Sequence, residues 1–109
     1  MNPLPLLILC TCPDLATAEH IAETVVGERL AACVNIVPGL ASIYRWEGQM
    51  QRDTELLLLI KTHRTIYPSL EARIRELHPY QLPEIIALPI QAGSAAYLAW
   101  IADSTGASG

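Results

Sequence analysis

An α+β fold is predicted by three features of the sequence. Hydrophobic periodicity alternates strand, helix, strand, strand, helix, strand along the chain; a Gly-containing turn separates two long extended segments; and the 109 residues suffice for one core but not two. In one domain that order gives the ferredoxin-like, split β-α-β arrangement, an antiparallel four-stranded sheet with two helices on one face. A short C-terminal helix is added here. Residues 1–109 are read as a single domain, with a core over about 5–103 and a disordered tail at 104–109. No repeat, linker or low-complexity segment interrupts it.

Leu6 to Thr11 is mostly apolar and reads as a first strand, central in its sheet. Asp14, after Pro13, suits an N-cap, and Leu15, Ala18, Ala22, Val25 and Val26 follow at helical spacing, which predicts a helix to about Leu30. Thr17, His20, Thr24 and Glu28 fall on its solvated side. Cys33 to Trp46 reads as extended with a bulge or bend at Pro38-Gly39, and Glu47-Gly48-Gln49 supplies a turn. Glu55 to Thr62 then carries the run LLLLI; five apolar residues in succession predict a strand covered on both faces or shared with a neighbouring subunit.

Tyr67, Leu70, Ile74 and Leu77 recur at steps of three and four, so a second helix covers roughly Ile66 to Leu77. Pro68 fits its first turn, where a missing N–H costs little, and Pro79 drives His78 out of helical angles and ends it. Glu84 to Ile90 is a last strand, in which Pro89 implies an edge or a bulge. Ser94 caps a short helix bearing Tyr97, Leu98 and Ile101, and STGASG is a frayed end.

Apolar residues make up 51% of the chain and charged residues 17%, against a usual charged share of about 25%. That surplus exceeds what a small monomer hides easily and predicts burial between subunits. A net charge of -4 with seven scattered Lys and Arg leaves no basic footprint, which excludes nucleic acid as a partner. No apolar run approaches the ~20 residues of a membrane span. MNPLPLLILC lacks Lys and Arg and is broken by Pro5, so it is a poor signal peptide. Three cysteines without scaffold spacing fit a reducing compartment, hence the cytoplasm.

The stretch LILCTCPD sets Cys10 and Cys12 one residue apart. If extension persists that far, both point to one face, with Cα atoms about 6.6 Å apart, the outer limit for a disulfide. A lone Cys-x-Cys is a weak metal signal, and free cysteine is among the most buried residue types, so the pair reads first as the end of a buried strand. There is no Gly-rich phosphate loop, Cys-x2-Cys pair, His-Glu-x-x-His or Gly-x-Ser-x-Gly. A thiol–imidazole nucleophile from Cys10 or Cys33 with His78 is the one enzyme constellation available, and no catalytic residue is assigned. What stands out is a polar and aromatic set in apolar surroundings. Tyr44 and Trp46 share one face of the hairpin, Lys61 ends the apolar strand, and Tyr80 and Glu84 flank a proline-bounded turn. Such groups either decorate a sheet rim or line a pocket with aromatic walls and a few charged contacts.

The strings ERLAACVN, IYRWEG, IKT, HPYQLPEIIALPI and YLAWI, in this order and spacing, resemble the CutA family of divalent-cation tolerance proteins over about Leu7 to Ile101. The resemblance implies a compact homotrimer in which strands of adjacent subunits extend one another's sheets. It also implies an intersubunit cleft near Tyr44, Trp46, Lys61, Tyr80 and Glu84, and a role in metal tolerance through binding of copper or another divalent cation, with no established catalysis. Of the family's copper ligands, Cys10 matches the cysteine ending the first strand and His78 the histidine of the His-Pro-Tyr motif. Enteric members carry a second histidine where this chain has Leu77. Cys33 matches another family cysteine set among apparent core residues and is the weaker candidate, and Cys12 is outside the pattern. The alternative use of such a trimer is as a small-molecule sensor, where an anionic metabolite would favour Lys61 with the aromatics.

Overall fold

The computed structural model describes residues 3–106. Seven elements run in the order β1 (Pro5–Cys12), α1 (Leu15–Gly27), β2 (Cys33–Trp46), β3 (Gln49–His63), α2 (Tyr67–Leu77), β4 (Ile86–Pro89) and α3 (Ala95–Asp103). The strands form one sheet in the order β2-β3-β1-β4, with every neighbouring pair antiparallel. This is the predicted split β-α-β arrangement with its extra helix, and β1 is central as expected.

Alternation along β1 decides which face is the core. Leu6, Ile8, Cys10 and Cys12 are buried and lie with Leu58 and Ile60 of β3, Ile21 and Val25 of α1, and Leu70 and Ile74 of α2 in one cluster. Both helices therefore pack on the same sheet face. Each fully buried Leu or Ile contributes about 1.5–3 kcal/mol relative to exposure.

The opposite face follows from the register. Leu7 pairs with Leu88, Leu9 with both Leu59 and Ile86, and Leu57 with both Thr11 and Val37. Directly opposed residues share a face, so this side is apolar as well. Val37, Ile86 and Leu88 are exposed there within a single chain. The LLLLI run is thus apolar on both sides: Leu56, Leu58 and Ile60 face the helices, and Leu57 and Leu59 face the other way.

The helix ends obey local chemistry. Asp14 Oδ1 accepts the Thr17 N–H at 2.7 Å, the predicted N-cap. Helix α1 stops at Gly27 rather than near Leu30, because Arg29 takes a left-handed φ of 62°. Arg29 N–H then donates to Val26 O and Leu30 N–H to Val25 O, the Schellman pattern that satisfies the last carbonyls. Helix α2 carries Pro68 in its first turn, and His78 is extended (φ -80°, ψ 136°) as Pro79 requires.

The hairpin is longer than its apolar pattern. Register shifts between Val37 and Leu40, where Gly39 has φ 80°, which is the predicted bulge. The turn is two residues, Glu47 and Gly48, both at positive φ, so β3 starts at Gln49 and spans 15 residues instead of beginning near Glu55. Strand β4 is shorter than expected, Ile86–Pro89 in place of 84–90, and lies at the sheet edge as Pro89 demands.

The expected frayed tail is corrected as far as Gly106. Thr105 is buried, and its hydroxyl donates to Ile101 O at 2.8 Å. Arg29 donates from Nε to Gly106 O and from Nη2 to Asp103 O, both at 2.9 Å, and Arg29 O accepts the Gly106 N–H. Residues 107–109 lie outside the described residues.

Candidate functional site

Strand β4 pairs with β1 only up to Leu9, so the edge of Cys10–Cys12 on that side has no strand neighbour. The segment after α2 fills the gap. His78 lies 2.7 Å from the Thr11 carbonyl through Nε2, while its Nδ1 accepts the Tyr80 N–H at 3.2 Å. Nδ1 being an acceptor, Nε2 carries the proton and donates to Thr11, which fixes the neutral tautomer.

Extension does persist to Cys12, and that creates a cluster. Cys10 Sγ, Cys12 Sγ and a ring nitrogen of His78 all lie within 4.8 Å of one another, and all three residues are buried. Cys12, outside the family pattern and read as core, is the thiol 4.0 Å from His78 Nε2. The same-face rule for a Cys-x-Cys strand was the sequence signal for it; the family resemblance set His78 beside Cys10, and its approach to Cys12 was not legible. A contact with Cys12, together with burial and the nearby Glu84 and Glu55 carboxylates, pushes the Cys10 thiol well above its usual range. The same contact lowers Cys12. Cys12 is therefore the first of the pair to lose its proton.

Two thiols and an imidazole are a soft donor set of the kind that suits copper or zinc. They fit such an ion in donor type and spacing. In the protonation state described, a metal would displace protons and the His78–Thr11 hydrogen bond. Cys33 is not in the cluster. It is half-buried at the start of β2, paired with Lys61, toward the opposite end of the sheet from Cys10.

On the other side of β1 lies an open cavity of about 540 Å³. Tyr44 and Trp46 reach it from β2, Glu55 from β3, Thr11 from β1, and Tyr80 and Glu84 from the connection before β4. Tyr80 OH donates to Glu55 Oε2 at 2.7 Å, and Tyr44 OH donates to Asp53. Burial and the Glu55 carboxylate raise the Tyr80 phenol, and Asp53 raises that of Tyr44, so both remain donors at neutral pH. Glu55 is buried and was missed by sequence reasoning, since a Glu at the head of an apolar run looks like a rim residue. Four of the five cleft residues expected from the sequence thus meet. Lys61 does not join them within one chain: it contacts Asn35, and it stands ten positions along β3 from Gln51, the partner of Tyr44, or about 33 Å. Tyr80 and Thr11 belong to both neighbourhoods, because each contacts His78 and lines the cavity. The His78 and Tyr80 rings lie 4.8 Å apart.

The family model described as CutA1 divalent ion tolerance protein matches residues 6–104. The divalent-cation tolerance protein CutA of Thermus thermophilus is 54% identical over 100 residues, which are 92% of this chain and 97% of that one. The solved structure of divalent cation tolerance protein Cut A1 from the same organism superposes with a TM-score of 0.93 at 52% identity, covering 94% of this chain and all of that one. The periplasmic divalent cation tolerance protein CutA from Archaeoglobus fulgidus superposes at 0.89 with 35% identity, over 93% and 98% of the two chains. This chain spans about half the length of the mouse and human proteins named CutA that it also matches. No helix among the described residues is long and apolar enough to cross a membrane. With its fold, its family match and a relative above half identity in agreement, the chain belongs to the CutA1 family of divalent ion tolerance proteins.

Proposed function

We propose that this chain serves metal tolerance by binding a metal ion, copper foremost, as a non-catalytic homotrimer in the cytoplasm. The observation that carries the reading is the convergence of Cys10, Cys12 and His78, whose three donor atoms lie within 4.8 Å. Cys10 Sγ, Cys12 Sγ and His78 Nε2 would hold the ion. Soft thiolate and imidazole donors favour cuprous copper in a reducing compartment, and Leu77, where enteric relatives have histidine, leaves three donors, which suffice for it. The three free thiols support that compartment.

Self-association is supported by the apolar sheet face that α1 and α2 leave uncovered, on which Val37, Ile86 and Leu88 are exposed. Pairing of edges between copies would also protect the long hairpin from aggregation. The acidic net charge supports no nucleic-acid partner. In such a trimer Lys61 reaches the cleft only from a neighbouring subunit.

A second reading, a small-molecule sensor, is supported by the cavity beside Tyr80, whose volume falls in the usual ligand-pocket range of roughly 300–1,000 Å³. Protein purified natively without affinity-tag metal separates the two. Near-stoichiometric copper by elemental analysis supports metal binding. Metal-free protein carrying a stoichiometric organic molecule favours the sensor.

A further inference from the structure

We propose that metal uptake at Cys10, Cys12 and His78 is relayed to the cleft through Tyr80, so that the two sites act as one metal-responsive unit. The relay rests on the metal reading of those three residues. It originates in the buried His78 ring, both of whose nitrogens are already engaged with the backbone of a cleft-lining residue. Nε2–H donates to Thr11 O at 2.7 Å, and Nδ1 accepts the Tyr80 N–H at 3.2 Å.

A neutral imidazole offers one lone pair and one N–H. If Nε2, which lies 4.0 Å from Cys12 Sγ, turns its lone pair to a metal ion, the ring proton must sit on Nδ1. There it confronts the Tyr80 N–H, donor against donor, and the Thr11 bond is lost as well. If Nδ1 coordinates instead, its lone pair is no longer free for Tyr80. Either choice strips the Tyr80 N–H of its acceptor. Pro79, with its fixed φ, is the one residue between them and leaves little slack to absorb the change.

The other end of Tyr80 reaches into the cleft. Its hydroxyl donates to Glu55 Oε2 at 2.7 Å, and its ring lies 4.8 Å from that of His78. Glu55 is buried, so this bond to a carboxylate is poorly screened and of the stronger kind. A Tyr80 released from His78 loosens its hold on Glu55 and reshapes the cavity that it lines together with Tyr44 and Trp46. The coupling holds whatever small molecule the cleft takes.

Linkage allows a test without that molecule. If metal uptake costs the Tyr80–Glu55 bond, removing the bond beforehand removes the cost. Tyr80→Phe keeps the ring and the backbone N–H. It should therefore bind cuprous copper about tenfold more tightly than the natural chain, in competition with a chelator of known affinity at fixed pH. A merely structural role for the hydroxyl predicts equal or weaker binding. A second measurement needs no variant: in the isotope-labelled natural chain, saturating cuprous copper should shift the amide of Tyr44 and the indole N–H of Trp46, both on β2 and outside the metal cluster. Copper binding with shifts confined to residues 10–12 and 78–80, or an unchanged or lowered affinity in Tyr80→Phe, overturns the relay and leaves the metal centre standing. A natural chain that binds no copper overturns both.

Discussion

His78 Nε2 lies 2.7 Å from the Thr11 carbonyl, and this bond closes the part of β1 that β4 leaves without a strand partner. Because Tyr80 N–H occupies Nδ1, the imidazole is locked between two backbone groups. His78 is thus a structural element of the apo protein as well as a candidate ligand. His78→Ala leaves the Thr11 carbonyl with only the Cys10 thiol at 3.8 Å as donor and a void beside the thiols, which predicts a loss of about 2–4 kcal/mol in urea unfolding of metal-free protein. A loss under about 1 kcal/mol would show that the ring is there for metal alone.

His63 predicts acid lability. Its side chain is buried, Nδ1 has no hydrogen-bond partner, and burial lowers its pKa below the ordinary 6.5. The unfolded chain therefore binds this proton at a higher pH than the folded chain does. Stability is fully present above about pH 6.5 and falls as pH drops from there toward the lower folded value. His63→Leu should flatten that part of the stability–pH profile; an unchanged slope contradicts the assignment.

Arg29 joins the end of α1 to the end of α3. It holds a left-handed backbone and bonds the carbonyls of Asp103 and Gly106. Arg29→Gly relieves the backbone but loses both bonds, whereas Arg29→Ala keeps the strain and loses them. The alanine variant should be the less stable by about 1 kcal/mol. In both, carboxypeptidase should remove residues 104–106 faster than in the natural chain.

The sheet face that α1 and α2 leave uncovered predicts assembly. Light scattering at micromolar concentration should give about three times the 11.9 kDa chain mass. Leu88 is 42% exposed in a single chain, so Leu88→Glu should be tolerated by the fold and should dissociate the assembly. A natural chain that runs as a monomer contradicts this and leaves the apolar surplus without a role.

Local chemistry was legible where one signal dominated. Asp14 caps α1, Pro79 ends α2, Pro38-Gly39 bends β2 and Pro89 marks an edge strand, each for a reason written in neighbouring residues. The first six residues of β3, QMQRDT, are polar but for Met50 because only β2 pairs with them, so periodicity gave no strand there. The end of α1 was misplaced because a left-handed arginine has no sequence signature. The Cys12–His78 contact and the distance of Lys61 from Tyr44 are long-range consequences of register, invisible until the strands are aligned.

As proposed, Cys10, Cys12 and His78 together form one metal centre. A competition titration of cuprous copper against a chelator of known affinity tests it, using the natural chain and Cys10→Ser, Cys12→Ser and His78→Ala, each first shown to be folded. The arrangement of the three donors predicts about one copper per natural chain, weaker binding in all three variants, and affinity that falls at acidic pH as protons compete for the same ligands. If all four proteins bind copper alike, or none does, the cluster is a buried strand end held by a histidine latch, and the metal assignment is wrong.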